Sequence, residues 1–144
     1  MTPAEPVGLE DVDPFELPEW LGTGEVTWSP EQGLRSGHLV AGRLTGAAGE
    51  QLPCDLLAVD EAYPAPVVAD PPRVRAHQAW QHGQVLLAER EGRLTVAVPG
   101  TGFDAGLVLE SLVRLALAVG APPERFAAHL RIGEQQPRRA PSGR

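Results

Sequence analysis

The chain has 144 residues, 42% of them hydrophobic, with 19 acidic residues set against 12 Arg and no Lys, for a net charge of −7. That length supports one domain with tails. The single Cys excludes an internal disulfide and any multi-cysteine metal site, and no apolar run approaches the roughly 18 residues of a membrane span.

The charge is unevenly placed. Residues 1–31 hold eight acids and no Arg, residues 32–133 hold ten acids and nine Arg, and residues 134–144 hold one acid and three Arg. The body is therefore nearly neutral, without the basic stripe that displaces counterions from a nucleic acid. Abundant Ala, Gly, Pro and Arg in the absence of Lys is the mark of a GC-rich genome. The acidic N-terminus lacks the apolar centre of a signal peptide, so a cytoplasmic protein is expected, with neither nucleic acid nor membrane as partner.

Residues 1–22 read as an acidic, Pro-rich arm, disordered over 1–13. Within it, Phe15, Trp20 and Leu21 lie among acids and prolines. They either plug the domain's own core or form a short linear motif for a partner's groove. Glu25–Trp28 suits a first strand. Arg35–Thr45 suits a second, with His38, Val40 and Leu44 on one face, and Leu52–Val59 a third, with Cys54, Leu56 and Ala58 alternating against Asp55, Leu57 and Val59. Asp60–Val68 is a Pro-rich loop. Asp70-Pro71-Pro72 opens a helix that carries Val74, Ala76, His77, Ala79 and Trp80 and ends near Gly83.

Gln84–Arg90 and Arg93–Val98 have strand composition, and Glu91-Gly92 between them suits a primed two-residue turn. The charged tip (Glu89, Arg90, Glu91, Arg93) suits a solvated hairpin end. Helix 104–119 follows, with Thr101 or Asp104 as its cap. Leu107, Val108, Leu112, Leu115 and Val119 form its apolar stripe; Leu109, Ala116 and Leu117 widen it. Gly120 and Pro122-Pro123 stop it. So wide an apolar surface is either a core helix lying on a sheet or, in part, a face for a partner or a second copy. A last short helix is expected from Pro122 to Arg131, with Phe126, Ala127 and Leu130 inward, before a disordered Arg/Pro-rich tail over 133–144.

The order β-β-β-α-β-β-α-α predicts an α+β domain over 23–132, with two antiparallel meanders joined by a helix and the helices on one face of the sheet. This element order resembles the small α+β folds of type III secretion chaperones and YbjN-like proteins. The likeness is one of element order, and those folds begin with a helix, which the Pro-rich start of this sequence does not predict.

Candidate chemistry is sparse. Gly100-Thr101-Gly102-Phe103-Asp104-Ala105-Gly106 follows a strand and opens a helix, but its third Gly falls one residue late for a dinucleotide fingerprint and Asp104 sits where phosphate charge would go. A small anion at the loop's N–H groups remains an alternative. His77 and His82 lie roughly 140° apart around a helix, so they do not share a metal by themselves. Cys54, between apolar strand residues, reads as core. No catalytic set, metal or cofactor is expected.

Residues Arg73–His82 crowd Arg73, Arg75, His77, Gln78, Trp80 and His82 onto one helix, and Trp and Arg dominate binding hot spots. Arg73, His77, Trp80 and His82, with Tyr63 in the preceding loop, are the candidate binding residues. Three functional readings follow: a non-enzymatic interaction or adaptor domain, with a homodimer through the 104–119 helix as one form of it; a small-ligand binder or enzyme with a pocket beside the 72–82 helix, favoured if two or more of His38, Asp60, His77 and His82 converge in one cleft; and a subunit of a larger complex that docks through its N-terminal arm.

Overall fold

A computed structural model describes residues 9–31, 39–60 and 70–129. The N-terminal eight residues, His38, Tyr63, the 133–144 tail, the start of the second expected strand and the 61–68 loop lie outside them.

The elements are β1 (Glu10–Asp11), a one-turn helix α1 (Trp20–Thr23), β2 (Val26–Pro30), β3 (Leu39–Val40), β4 (Gly42–Gly46), β5 (Gln51–Ala58), α2 (Asp70–Gln81), β6 (Leu86–Arg90), β7 (Arg93–Val98), α3 (Ala105–Ala118) and β8 (Phe126–Ala128). Among the described residues, eight strands form one sheet in the order β1-β6-β7-β5-β4-β2-β8, with β3 also on β5. The α+β class is as expected, but the sheet is mixed rather than a pair of antiparallel meanders: β5 runs parallel to β7, and β8 parallel to β2.

The parallel centre explains a second correction. Along β5 and β7, alternate residues enter two different clusters. Cys54, Leu56, Ala58, Leu94, Val96 and Val98 pack with Val108, Leu112, Leu115 and Ala116 of α3. Leu57, Val59 and Ala97 pack with Ala76 of α2. Successive strand residues point to opposite faces, so the two long helices cover opposite faces of the sheet, not one. Central parallel strands are buried on both sides and read as continuous apolar runs, as Leu56-Leu57-Ala58-Val59 does.

The expected hairpin is present. Arg90 pairs with Arg93, and Glu91 and Gly92 both have positive φ, 56° and 78°, the signature of a type I′ turn. The expected last helix is instead a 3-10 turn at Pro123–Arg125 followed by β8. Phe126 is buried, Ala127 exposed and Ala128 half-buried, a period of two that satisfies the free edge of β2 as a helical turn would not.

The second expected strand is broken into β3 and β4, although both keep one register on β5. At the break, side chains take over the backbone pairing. The indole Nε1 of Trp28 donates to the Cys54 carbonyl at 2.8 Å, the Gly42 N–H donates to Asp55 Oδ1 at 3.2 Å, and Arg93 donates to the Gly42 carbonyl at 3.0 Å. Residue 42 is Gly for steric reasons: a Cβ there would collide with the fully buried Trp28 ring.

Candidate functional site

α3 presents the feature that folding alone does not require. Asp104 caps it, its carboxylate accepting from the Leu107 N–H at 2.8 Å, which settles the choice between Thr101 and Asp104. One face of α3 lies on the sheet. The opposite face carries Leu109, Val113 and Leu117, which are 47%, 39% and 56% exposed. These residues are spaced i, i+4, i+8, so they form one straight ridge. Among the exposed positions of α3, Glu110 is the only charged one. A surface helix ordinarily puts polar residues on its outer face, and here that face is apolar.

Along the flank of the ridge runs a chain of polar contacts. Arg114 donates to Glu110 at 2.7 Å and to the Trp80 and Gln84 carbonyls at 2.8 and 3.1 Å. Its guanidinium carbon lies 3.4 Å from the centre of the Trp80 ring, a cation–π stack that ties α3 to the C-terminal end of α2. Beyond it opens a groove of about 1090 Å³ between α2, α3, β6 and the arm, with Arg75, Gln78, His82, Arg114 and Leu117 in its walls. Arg75 is held by Asp11 at 2.9 Å. His82 donates from Nδ1 to the Gln78 carbonyl at 2.8 Å.

A separate cluster gathers past the end of β5. His77 Nε2 is 2.9 Å from the Asp60 carboxylate, Arg73 is 3.6 Å from it, and the Gly100 N–H donates to it at 3.3 Å. Asp60 is thus tied into a network rather than simply solvated.

A third network is buried. Asp55 has no exposed surface. Its carboxylate accepts from Arg93 Nε at 3.0 and 3.1 Å, from Arg93 Nη2 at 2.9 Å and from Arg90 at 3.2 Å, and Arg93 also reaches Glu31 at 3.0 Å. Hydrogen bonding to Asp55 holds the Arg93 guanidinium firmly protonated. The expected solvated hairpin tip is corrected accordingly: Arg90 and Arg93 fold back over Asp55. The beginning of a signal stood in the sequence, as a carboxylate flanked by Cys54 and Leu56-Leu57 needs a cation in the fold. Burial pushes the neighbouring Cys54 thiol far up, with Asp55 adding to the effect and Arg93 opposing it, so the thiolate a nucleophile needs is suppressed.

No family model, curated protein or solved structure matches this chain. The site is therefore read from its geometry.

The candidate residues along α2 divide between these places. Arg73 and His77 meet at Asp60, Trp80 lies under Arg114, and His82 lines the groove. Asp60 and His77 converge, but neither is in the wall of the groove that His82 lines. In the arm, Leu21 is fully buried, Trp20 packs against the main core and Phe15 is 96% exposed. β1 pairs with β6, so the arm from Glu10 onward is tied to the sheet. Among the described residues no three His, Cys, Asp or Glu side chains group to hold a metal, and no helix is long and apolar enough to cross a membrane. At the Gly100–Gly106 loop, the Asp104 carboxylate already accepts from the Leu107 N–H, one of the first-turn donors an anion would use.

The residues that sequence reasoning did not single out are Leu109, Val113 and Leu117 as a set, Arg114 and Asp55. The 3.6-residue period was visible in α3, but which of its sides meets the sheet is decided by the fold.

Proposed function

We propose that this chain is a non-enzymatic, cytoplasmic protein-interaction domain whose docking surface is the outer face of α3. The observation that carries this reading is the exposed Leu109–Val113–Leu117 ridge, an apolar row on the helix side that does not touch the sheet. Exposed contiguous apolar surface marks sites that another molecule covers. Arg114 supports the reading by holding the ridge rigidly against α2 through Trp80, and a pre-ordered surface loses less entropy on docking.

The test is photo-crosslinking in living cells, with a benzophenone side chain placed at Val113 or, as a control, at the exposed hairpin residue Glu89. A discrete protein adduct from position 113, lost when Leu109 and Leu117 are changed to Glu, is expected. Equal or no adducts at both positions would refute the reading.

A second reading, a small-ligand site along α2, draws on the groove and on the Asp60–His77 contact. A thermal-shift panel of small anions and metabolites tests it. The expected result is a rise in Tm that is lost in Arg75→Ala and His82→Ala, or in His77→Ala if the ligand sits at Asp60. No rise with any compound would remove this reading.

A further inference from the structure

We infer that the occupant of the α3 ridge is a second copy of this chain, packed with its α3 antiparallel and the two-fold axis at Val113. This rests on the reading of α3 as a docking surface and names its partner.

The argument is the symmetry of the ridge. Along it the exposed apolar and glycine positions are Gly106, Leu109, Val113 and Leu117 on α3 and Gly120 two residues past its end, with successive spacings of three, four, four and three. The pattern reads the same in both directions from Val113. A two-fold interface is self-complementary: if residue i meets residue j, then j meets i. An antiparallel pair of α3 helices with its axis at Val113 sets Leu109 against Leu117 of the second copy, Val113 against itself, and Gly106 against Gly120. The glycines at the two ends keep the ridge low there, so the helices can approach.

Charge fits the same arrangement. Glu110 and Arg114 are one turn apart on the same flank of α3. A two-fold axis perpendicular to both helices keeps that flank on the same side in both copies, and antiparallel packing then places each Glu110 within about one turn of the other copy's Arg114. The acid of each copy therefore gains a second cation to face. A parallel pair, whose two-fold axis runs along the helices, would instead send the two Glu110–Arg114 flanks to opposite sides of the interface, so neither acid would gain that second cation. The face is small: a single helix pair sits at the low end of interface size, below about 1,200 Å². The expected dimer is weak and concentration-dependent.

Disulfide trapping on the full chain tests the arrangement. Helices packed at about 8–10 Å bring facing Cα atoms at the axis within disulfide range, about 4.4–6.8 Å. Four residues from the axis, identical positions are separated by about 12 Å along the helix. Val113→Cys is therefore expected to form a covalent dimer with itself under mild oxidation. Leu109→Cys and Leu117→Cys are each expected to stay monomeric alone and to cross-link when mixed. All three positions are exposed, so these variants keep the fold, and wild-type chain with its single buried Cys54 is the background control.

Self-linking at all three positions would mean parallel packing and overturn the inference. Absence of any link, together with a benzophenone adduct at Val113 to a different protein, would overturn the second copy while leaving the docking surface intact. Absence of both would remove the inference and the reading beneath it.

Discussion

Changing Asp55 to Ala should be among the most damaging single substitutions in the domain. The side chain has no exposed surface and accepts from Arg93, Arg90 and the Gly42 N–H. Removing it leaves two cations facing each other across a largely buried pocket and leaves the Gly42 N–H without an acceptor at the β3–β4 break. Breaking a buried pair by deleting one partner costs about 3–5 kcal/mol, and an orphaned backbone donor adds about 1–3 kcal/mol. Arg93 retains Glu31 and the Gly42 carbonyl and is partly exposed, so the low end of the combined range applies, about 4 kcal/mol. Asp55→Asn keeps the shape and one acceptor, and should cost about half as much. Urea unfolding followed by circular dichroism, with slopes compared between variants, gives the measurement. Against a typical domain stability of about 5–15 kcal/mol, both variants are measurable, and Asp55→Asn remains folded if the Ala variant does not. A loss below about 1 kcal/mol for Asp55→Ala would refute the network's role in holding the sheet break.

Three further substitutions follow from the same structure. Gly42→Ala places a methyl group into the ring of the fully buried Trp28 and should cost about 1–3 kcal/mol; a neutral result in the same unfolding assay would mean the break in the strand is not set by that contact. Glu91 holds the first position of the type I′ turn at positive φ, where Asn is preferred, so Glu91→Asn should stabilise the chain by about 0.5–1 kcal/mol, and a loss of stability would contradict the turn assignment. Cys54 gives a pH dependence. Its thiol is held protonated in the folded chain well above its ordinary 9.0, so its contribution is complete below pH 9 and is lost as pH rises beyond it. Between pH 9 and 10.5 wild-type chain should lose about 1–2 kcal/mol relative to Cys54→Ala, and parallel pH curves for the two would show that the thiol is not shielded as the structure has it.

What could be read from the sequence was mostly local. Glu91-Gly92 between two apolar runs announced the hairpin because only a few residues suit a primed turn. Thr101 and Asp104 together announced a cap for α3, and Gly120 its end. What could not be read was the assembly of distant parts. Nothing local tells β5 that its neighbour will be β7, running parallel, although the two-sided apolar run at Leu56–Val59 was a sign that both faces would be covered. Phe126, Ala127 and Leu130 fit a helical face, so the sequence alone predicts a helix where β8 forms, and the decisive fact, an unpaired edge on β2, lies about 100 residues away in the chain. Asp55 looked like one polar position in an alternating strand until the fold brought Arg90 and Arg93 over it. Of the candidates, Arg73, His77 and Trp80 share α2 and His82 follows its end, but the rotation of the helix sends Arg73 and His77 to Asp60, while His82 faces the groove on the other flank. The ridge on α3 was visible only as an excess of apolar residues; its symmetry about Val113 emerges once the sheet-facing side is known.

The most direct test of the α3 surface is the weight-average mass of the full chain by light scattering, from about 10 µM to 1 mM, beside the Val113→Glu variant. For a weak interface with Kd of about 10–500 µM, the wild-type mass should climb from 15.3 kDa toward twice that value, while Val113→Glu, in which two carboxylates would face each other on the axis, stays at the monomer mass throughout. A wild-type mass that remains at 15.3 kDa across the whole series would contradict the account.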